Sequence, residues 1–344
     1  MAHKVTLVPS GHQFEVAEGQ NVLQAGLDAG LAIPYSCRAG VCRTCRGLVK
    51  EGKVDYGNVS PAYLSEGDKA AGYALLCQAK PLADLTVEVR ELAGLAGIRP
   101  RIIPARVEAI TKPALDVALL TLRLPSNEKF KFVAGQYVDI LLKGGKRRSY
   151  SIANPPQEEG VGTLELHIRH TPGGFYTEQV FGAMKARDLL RFEGPLGTFS
   201  LREDSDKPVI FLASGTGFAP IRSILEKMFR DGLFEKRKTT LYWGCRAKRD
   251  LYMLEVPAAW AHPNFRFVPV LSDPTPECAW TGRTGFVHRA VMEDFPDLSG
   301  MQVYACGVPV MVESARRDFS ALCGLPADEF YADSFLTEAD THPK

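Results

Sequence analysis

The chain has almost no net charge, no long apolar run, no internal repeat and no low-complexity tract. Its 41 basic residues nearly cancel 40 acidic ones, and the balance of +1 gives bulk electrostatics no reason to favour nucleic acid or an anionic membrane. Apolar stretches such as 209–213 and 117–120 fall far short of the roughly 20 residues that cross a bilayer. The first residues, Met1-Ala2-His3-Lys4-Val5-Thr6, enter a strand-like pattern without a signal-peptide core, so a cytoplasmic location is expected. There, eight cysteines read as reduced thiols or metal ligands, not as a disulfide framework. No sequence signal speaks for assembly, and a monomer is expected. What remains is an ordinary globular composition, 45% hydrophobic and 24% charged over 344 residues, with room for two or three domains.

Four of the cysteines are patterned. Cys37, Cys42, Cys45 and Cys77 have the spacing C-x4-C-x2-C-x31-C. Three thiolates on a tight loop and a distant fourth match the plant-type ligand set of a [2Fe–2S] cluster. Ala39 and Gly40 are small enough to let backbone N–H groups turn inward. Zinc is the competing ligand, but zinc modules usually carry two C-x2-C pairs, and here Cys77 stands alone in Leu75-Leu76-Cys77-Gln78. Cys245, Cys278 and Cys323 have no ligand spacing.

The organisation suggests three domains. Residues 1–92 read as a compact α+β unit. Val5, Leu7, Phe14 and Val16 alternate on two strands around Ser10-Gly11-His12, Asn21 caps a helix that Gly30 ends, and 85–89 forms a last strand. The Gly- and Ala-rich stretch 93–101 is the linker candidate. Residues 102–203 carry short strands at 105–110, 117–124, 137–142, 149–152 and 164–169, with a Gly144-Gly145 hairpin turn, which predicts a small antiparallel β-barrel. From 204 to 344, apolar strands at 209–213, 239–243, 265–271 and 302–306 alternate with helices, the texture of a doubly wound parallel α/β sheet.

Arg148-Ser149-Tyr150-Ser151 is suited to a flavin. The guanidinium can pair with a pyrophosphate, the ring can lie on the isoalloxazine, and the Ser151 hydroxyl can approach its N5. His167-Ile168-Arg169 follows, and Gly173-Gly174-Phe175-Tyr176-Thr177 leads into a helix whose amino end suits a phosphate. The alternative for R-x-Y-S alone is a basic hairpin with a buried tyrosine. Ser214-Gly215-Thr216-Gly217-Phe218-Ala219-Pro220, between a strand and a helix, suits a dinucleotide diphosphate, although a tight packing turn has the same composition. It is not G-x-G-x-x-G, and the next strand ends in Cys245-Arg246, with Lys248 and Arg249 close behind, where that fingerprint expects an acid. Cys306, followed by Gly307 and Pro309, ends the last parallel strand where open α/β sheets bind ligands; a thiol there is otherwise a small buried hydrophobe.

In this order, R-x-Y-S, G-G-x-x-T, G-T-G-x-A-P and C-G-x-P resemble the ferredoxin–NADP+ reductase superfamily. With a plant-type ferredoxin (β-grasp) in front, the whole chain resembles the reductase component of bacterial multicomponent oxygenases. It resembles equally the reductase of CDP-6-deoxy-3,4-glucoseen formation. The resemblance implies FAD on Arg148, Tyr150, Ser151, His167, Gly173, Gly174 and Thr177. It implies NADH, with NADPH open, on Gly215, Thr216, Gly217, Arg246 and Cys306, and an aromatic Phe335 over the flavin. Ser151 and Cys306 are then the residues at the hydride step. The implied partner is a Rieske or diiron oxygenase component, or else a deoxysugar dehydrase, docking near Arg38, Arg43 and Arg46. The chain departs from plant ferredoxins at Arg43 and Arg46, where small polar residues usually sit. A reading of another class is a redox-sensing or electron-carrying subunit without catalysis.

Overall fold

The computed structural model describes residues 2–92, 95 and 98–336. Of the linker stretch, Ala93, Gly94, Ala96 and Gly97 lie outside the described residues. The chain forms two compact units, one running through Arg99 with Gly197–Phe199 added, the other made of Pro100–Leu196 and Ser200–Phe335.

In the first unit, β1 (His3–Val8), β2 (Gln13–Val16), β3 (Arg46–Glu51), β5 (Tyr73–Leu75) and β7 (Leu85–Glu88) make a five-stranded sheet in the order β2-β1-β7-β3-β5, and the short β4 (Val54–Asp55) pairs β6 (Lys80–Pro81). β1 and β7 run parallel and the other pairs antiparallel, as in a β-grasp. Helix α1 (Val22–Asp28) starts as the sequence predicts: Asn21 accepts from Gln24 N at 2.8 Å, and Gly30 (φ +83°) takes the chain away in a conformation that costs other residues a Cβ clash. A second helix, α2 (Glu66–Ala70), opens with a Ser65–Asp68 capping box. Thr198 belongs with this unit, its hydroxyl accepting from Tyr35 N and donating to Tyr35 O, both at 2.8 Å.

The second unit begins with β8 (Arg101–Ala114), β9 (Val117–Arg123), β10 (Tyr137–Leu141), β11 (Arg147–Ser151), β12 (Thr163–Arg169), α3 (Phe175–Phe181) and β13 (Leu189–Leu196). Their order is β11-β10-β13-β8-β9-β12, and a bridge between Ile152 and Leu166 brings the two edges together, so the sheet closes into the expected barrel. β13, which the sequence pattern does not reveal, sits at its centre: only three of its eight residues are apolar leucine or phenylalanine before Gly194-Pro195.

The same unit continues with β14 (Val209–Ser214), α4 (Phe218–Arg230), β15 (Thr239–Cys245), α5 (Glu255–Ala258), β16 (Phe265–Leu271), β17 (Arg283–Thr284), α6 (Val287–Asp294), β18 (Gln302–Gly307), α7 (Pro309–Leu322) and β19 (Phe330–Ser334). All pairs are parallel, in the order β17-β16-β15-β14-β18-β19. The chain reverses its direction of sheet growth between β14 and β18. That switch point is where open α/β sheets bind ligands, and the two expected nucleotide motifs end these two strands.

Candidate functional site

The cluster loop winds tightly because Arg38 (φ +55°), Gly40 (φ +75°) and Arg43 (φ +63°) all take left-handed backbone conformations. Its N–H groups face sulfur. Ala39 N and Cys42 N donate to Cys37 Sγ at 3.4 and 3.3 Å, and Cys37 N donates to Cys42 Sγ at 3.5 Å. The four free thiols fall into two hydrogen-bonded pairs, Cys37 with Cys42 and Cys45 with Cys77. In each pair the hydrogen bond from one thiol draws the other, Cys42 and Cys77, toward the thiolate. Among the described residues no three metal-binding side chains converge on a single-ion site. Sulfurs faced by backbone N–H donors suit an iron–sulfur cluster, whose charge such bonds stabilise. Cys42, Cys45 and Cys77 are buried and Cys37 is half-buried.

The arginines beside the loop have partners within the unit. Arg46 lies 3.5 Å over the Tyr73 ring and 2.5 Å from Asp68, Arg43 is 3.7 Å from the same carboxylate, and Arg38 donates to Tyr35 OH at 3.2 Å. Burial would raise the Asp68 pKa, but hydrogen bonds from Ser65 and the two guanidinium charges outweigh it and hold it below the usual carboxylate value.

In the barrel, β11 places Arg148 opposite Ile140, Tyr150 opposite Val138 and the buried Ser151 opposite Tyr137. The Tyr150 ring lies 5.6 Å from that of Tyr176, whose hydroxyl is buried with no partner among the described residues. An orphaned hydroxyl is costly, and FAD, rich in acceptors, is suited to satisfy it; no pattern in the sequence singles out this residue. Thr177 acts within its own turn. Its hydroxyl accepts from Thr171 N at 3.2 Å and donates to Thr171 O at 2.9 Å, closing the turn at Gly173 (φ +75°). Gly174 is required by that closure, since a Cβ there would lie 2.7 Å from the Thr177 hydroxyl. His167, expected beside the flavin, has its side chain enclosed by protein. Its imidazole is fully buried, with Nε2 2.9 Å from Glu165 and Nδ1 2.7 Å from Tyr252, so both ring nitrogens are engaged by protein.

At the switch point the two nucleotide motifs touch. A Cβ on Gly217 would lie 2.1 Å from Cys306 O, and one on Gly307 (φ +140°) 2.1 Å from Ser214 Oγ. Ser214 Oγ accepts from Val308 N at 3.0 Å, and Phe335 N donates to Gly307 O at 2.8 Å. Gly215, Thr216, Gly217, Cys306 and Phe335 are thus brought together at the ends of β14, β18 and β19. Burial pushes the Cys306 thiol pKa up, and neighbouring Asp333 adds to it, so the group is a neutral thiol. The backbone-lined cradle at Gly215–Gly217 fits a dinucleotide diphosphate. Arg246 is exposed at the end of β15, one strand away.

Comparison with known proteins agrees with this division. Residues 5–82 match the 2Fe-2S iron-sulfur cluster binding domain, 104–201 the oxidoreductase FAD-binding domain and 211–317 the oxidoreductase NAD-binding domain. The chain is 40% identical over 338 residues to the CDP-6-deoxy-L-threo-D-glycero-4-hexulose-3-dehydrase reductase of Yersinia pseudotuberculosis, covering 98% of this chain and 99% of the relative. It is 36% identical to reductase component 2 of the Comamonas terephthalate 1,2-dioxygenase, covering 99% of this chain and 100% of that one. The crystal structure of the Amycolatopsis cytochrome P450 reductase GcoB superposes with a TM-score of 0.76 at 37% identity, over 97% of this chain and 98% of that chain. The fold and its three sites define an NAD(P)H-dependent oxidoreductase built on FAD and a [2Fe–2S] cluster. The chain belongs to the family of iron–sulfur flavoprotein reductases that includes these oxygenase and hexulose-dehydrase reductase components. No described helix is long and apolar enough to cross a membrane.

Proposed function

We propose that this reductase carries electrons from NADH to a separate acceptor protein, an oxygenase component of the Rieske or diiron type, that docks at the cluster loop. FAD and the cluster, when bound, would supply the chemistry that divides a hydride into a proton and two singly transferred electrons; the chain's own residues would bind, orient and shield these groups. On the sequence motifs, Arg148, Tyr150, Ser151 and Phe335 face the flavin, Cys306 the nicotinamide, and Gly215, Thr216 and Gly217 the diphosphate. The observation that carries the docking assignment is the half-buried Cys37, the least enclosed of the four thiols, among Arg38, Arg43 and Arg46. Asp68 already pairs with two of these arginines, so the patch meets an acidic partner with reduced positive charge. Replacing Arg43→Glu together with Arg46→Glu is expected to slow transfer to the true partner about tenfold at low salt while ferricyanide reduction stays within twofold. Equal loss with both acceptors refutes the docking site, and Arg43→Glu alone repeats the test without disturbing the Arg46–Tyr73 stack.

A dehydrase partner is the second reading, favoured by the 40% identity to the Yersinia reductase. Reconstitution with one oxygenase component and one dehydrase, each scored for NADH-dependent turnover of its own substrate, separates the two.

The preference for NADH rests on Asp273. It follows β16, its N–H donating to Arg246 O at 2.9 Å, so an exposed carboxylate stands beside the end of β15. The sequence pattern does not reveal this acid because it sits one strand beyond the place where the fingerprint expects it. A carboxylate there suits a ribose diol and repels a 2′-phosphate. Asp273→Ser is expected to narrow the ratio of kcat/KM for NADH over NADPH about tenfold; an unchanged ratio removes Asp273 from the assignment.

A further inference from the structure

On β12 alternate side chains face opposite ways. Leu164, Leu166 and Ile168 are buried in the barrel core, so Glu165, His167 and Arg169 point to the other face. All three meet the nucleotide half. Glu165 accepts from the guanidinium of Arg222 on α4 and from His167 Nε2, while Tyr252 OH donates to His167 Nδ1. Arg222 also donates to Glu226 at 2.7 Å, and its neighbour Ser223 donates to Asn154 O at 2.9 Å. Arg169, paired with Asp116, lies against Gly215, where a Cβ would be 2.7 Å from its Nη1.

Two paths lead from this face to the glycine loop. α4 begins directly after Gly217, so Arg222 and Ser223 hold the helix that continues the loop. Tyr252 packs edge-on against Trp243 at 5.3 Å, and the Trp243 indole N–H donates to Gly215 O at 2.9 Å. In the other direction, Leu166 bridges Ile152, and Ala153 N donates to Glu165 O at 2.8 Å, one and two residues past Ser151. The stretch 165–167 therefore contacts both the strand that carries Ser151 and the elements that carry Gly215–Gly217.

We propose that the Glu165–Arg222 pair, completed by His167 and Tyr252, is a positioning device that sets the glycine loop against the flavin strand and thereby sets the approach of the nicotinamide to the flavin. Partly buried ion pairs add little net stability and much geometric definition. Burial would raise the Glu165 pKa, but His167 and Arg222 outweigh it and bring it down to about 2, while burial lowers that of His167. At neutral pH the device thus has one charge pattern, an anion, a cation and a neutral imidazole. Since a misplacement of about 1 Å can cost about 100-fold in a transfer step, loosening this seat acts on hydride transfer and leaves each site's own affinity intact.

The test compares Glu165→Ala, Glu165→Gln and Tyr252→Phe in the holoprotein. Stopped-flow bleaching of the flavin by NADH is expected to slow about 10- to 100-fold in Glu165→Ala, with the long-wavelength charge-transfer band of the NADH complex weakened. Affinity for ADP-ribose, which lacks the nicotinamide, and FAD content are expected to stay within twofold. Glu165→Gln, which keeps an acceptor for Arg222, restores most of the rate. If Glu165→Ala does not fold, Tyr252→Phe, which removes one hydroxyl, carries the test with a severalfold slowing. Flavin bleaching within twofold of the parent in the folded variant overturns the proposal. So does a loss of ADP-ribose affinity equal to the loss of rate, which makes the pair part of the nucleotide lobe's own framework.

Discussion

Gly217→Ala is expected to abolish most nucleotide-dependent activity while leaving the flavin and the cluster in place. The new Cβ would lie 2.1 Å from Cys306 O, 2.5 Å from Cys306 C and 2.8 Å from Gly307 N. All three are backbone atoms at the end of a central parallel strand, so no side chain can swing aside to make room. The ends of β14 and β18 must separate, and the loop expected to hold the diphosphate moves away from the thiol expected beside the nicotinamide. Misplacement on this scale costs about 100-fold in the transfer step, and overpacking costs about 1–3 kcal/mol of stability. Flavin bleaching by NADH and binding of ADP-ribose should both collapse, while the flavin and cluster absorbances persist. Gly300→Ala, where an added Cβ meets nothing within 4 Å, is the control. A Gly217→Ala rate within threefold of the parent would show that these two loops do not form the nucleotide site.

The second large effect is expected at the cluster. Cys42→Ser replaces a sulfur that accepts from Cys37 N and is hydrogen-bonded to the Cys37 thiol with a hydroxyl that remains protonated at neutral pH and is a poor ligand for iron. Cluster absorbance and its reduced electron paramagnetic resonance signal should be lost, and delivery to a protein acceptor should fall to background. Ferricyanide reduction, which needs only the flavin and nucleotide sites, should stay within twofold. Cys278→Ser, outside the patterned set, should change none of these readouts. Persistence of the cluster spectrum in Cys42→Ser would remove that residue from the ligand set, and a joint loss of ferricyanide reduction would undo the separation of the two functions.

Much of this is legible along the chain because the informative groups are local. The C-x4-C-x2-C run, R-x-Y-S and G-T-G each occupy a few consecutive residues, and short-range backbone geometry places their parts together. Strand β12 is legible for the same reason, its Leu164, Leu166 and Ile168 alternating with polar neighbours. What is not legible is long-range. Glu165 and Arg222 are 57 residues apart, and nothing in either neighbourhood announces the other. His167 reads toward the flavin because its motif lies on the flavin barrel; only the tertiary structure brings its imidazole between Glu165 and Tyr252. Tyr176 lies within the glycine motif, but a buried hydroxyl without a partner is a property of its surroundings. Asp273 escapes a linear reading because strand order is a fact of the sheet: β16 neighbours β15, and so an acid just past the end of one strand stands beside the end of another.

The sequence by itself determined the three-part order, the candidate ligand set Cys37, Cys42, Cys45 and Cys77, and the glycine positions, because spacing and backbone freedom are written in consecutive residues. The tertiary structure decided that the thiols stand two and two, that Arg43 and Arg46 share Asp68, that β14 and β18 flank the switch point, and that one face of β12 meets the nucleotide half. Each of these depends on which residues distant in the chain become neighbours, and that is settled by burying apolar faces and pairing the polar groups left between them.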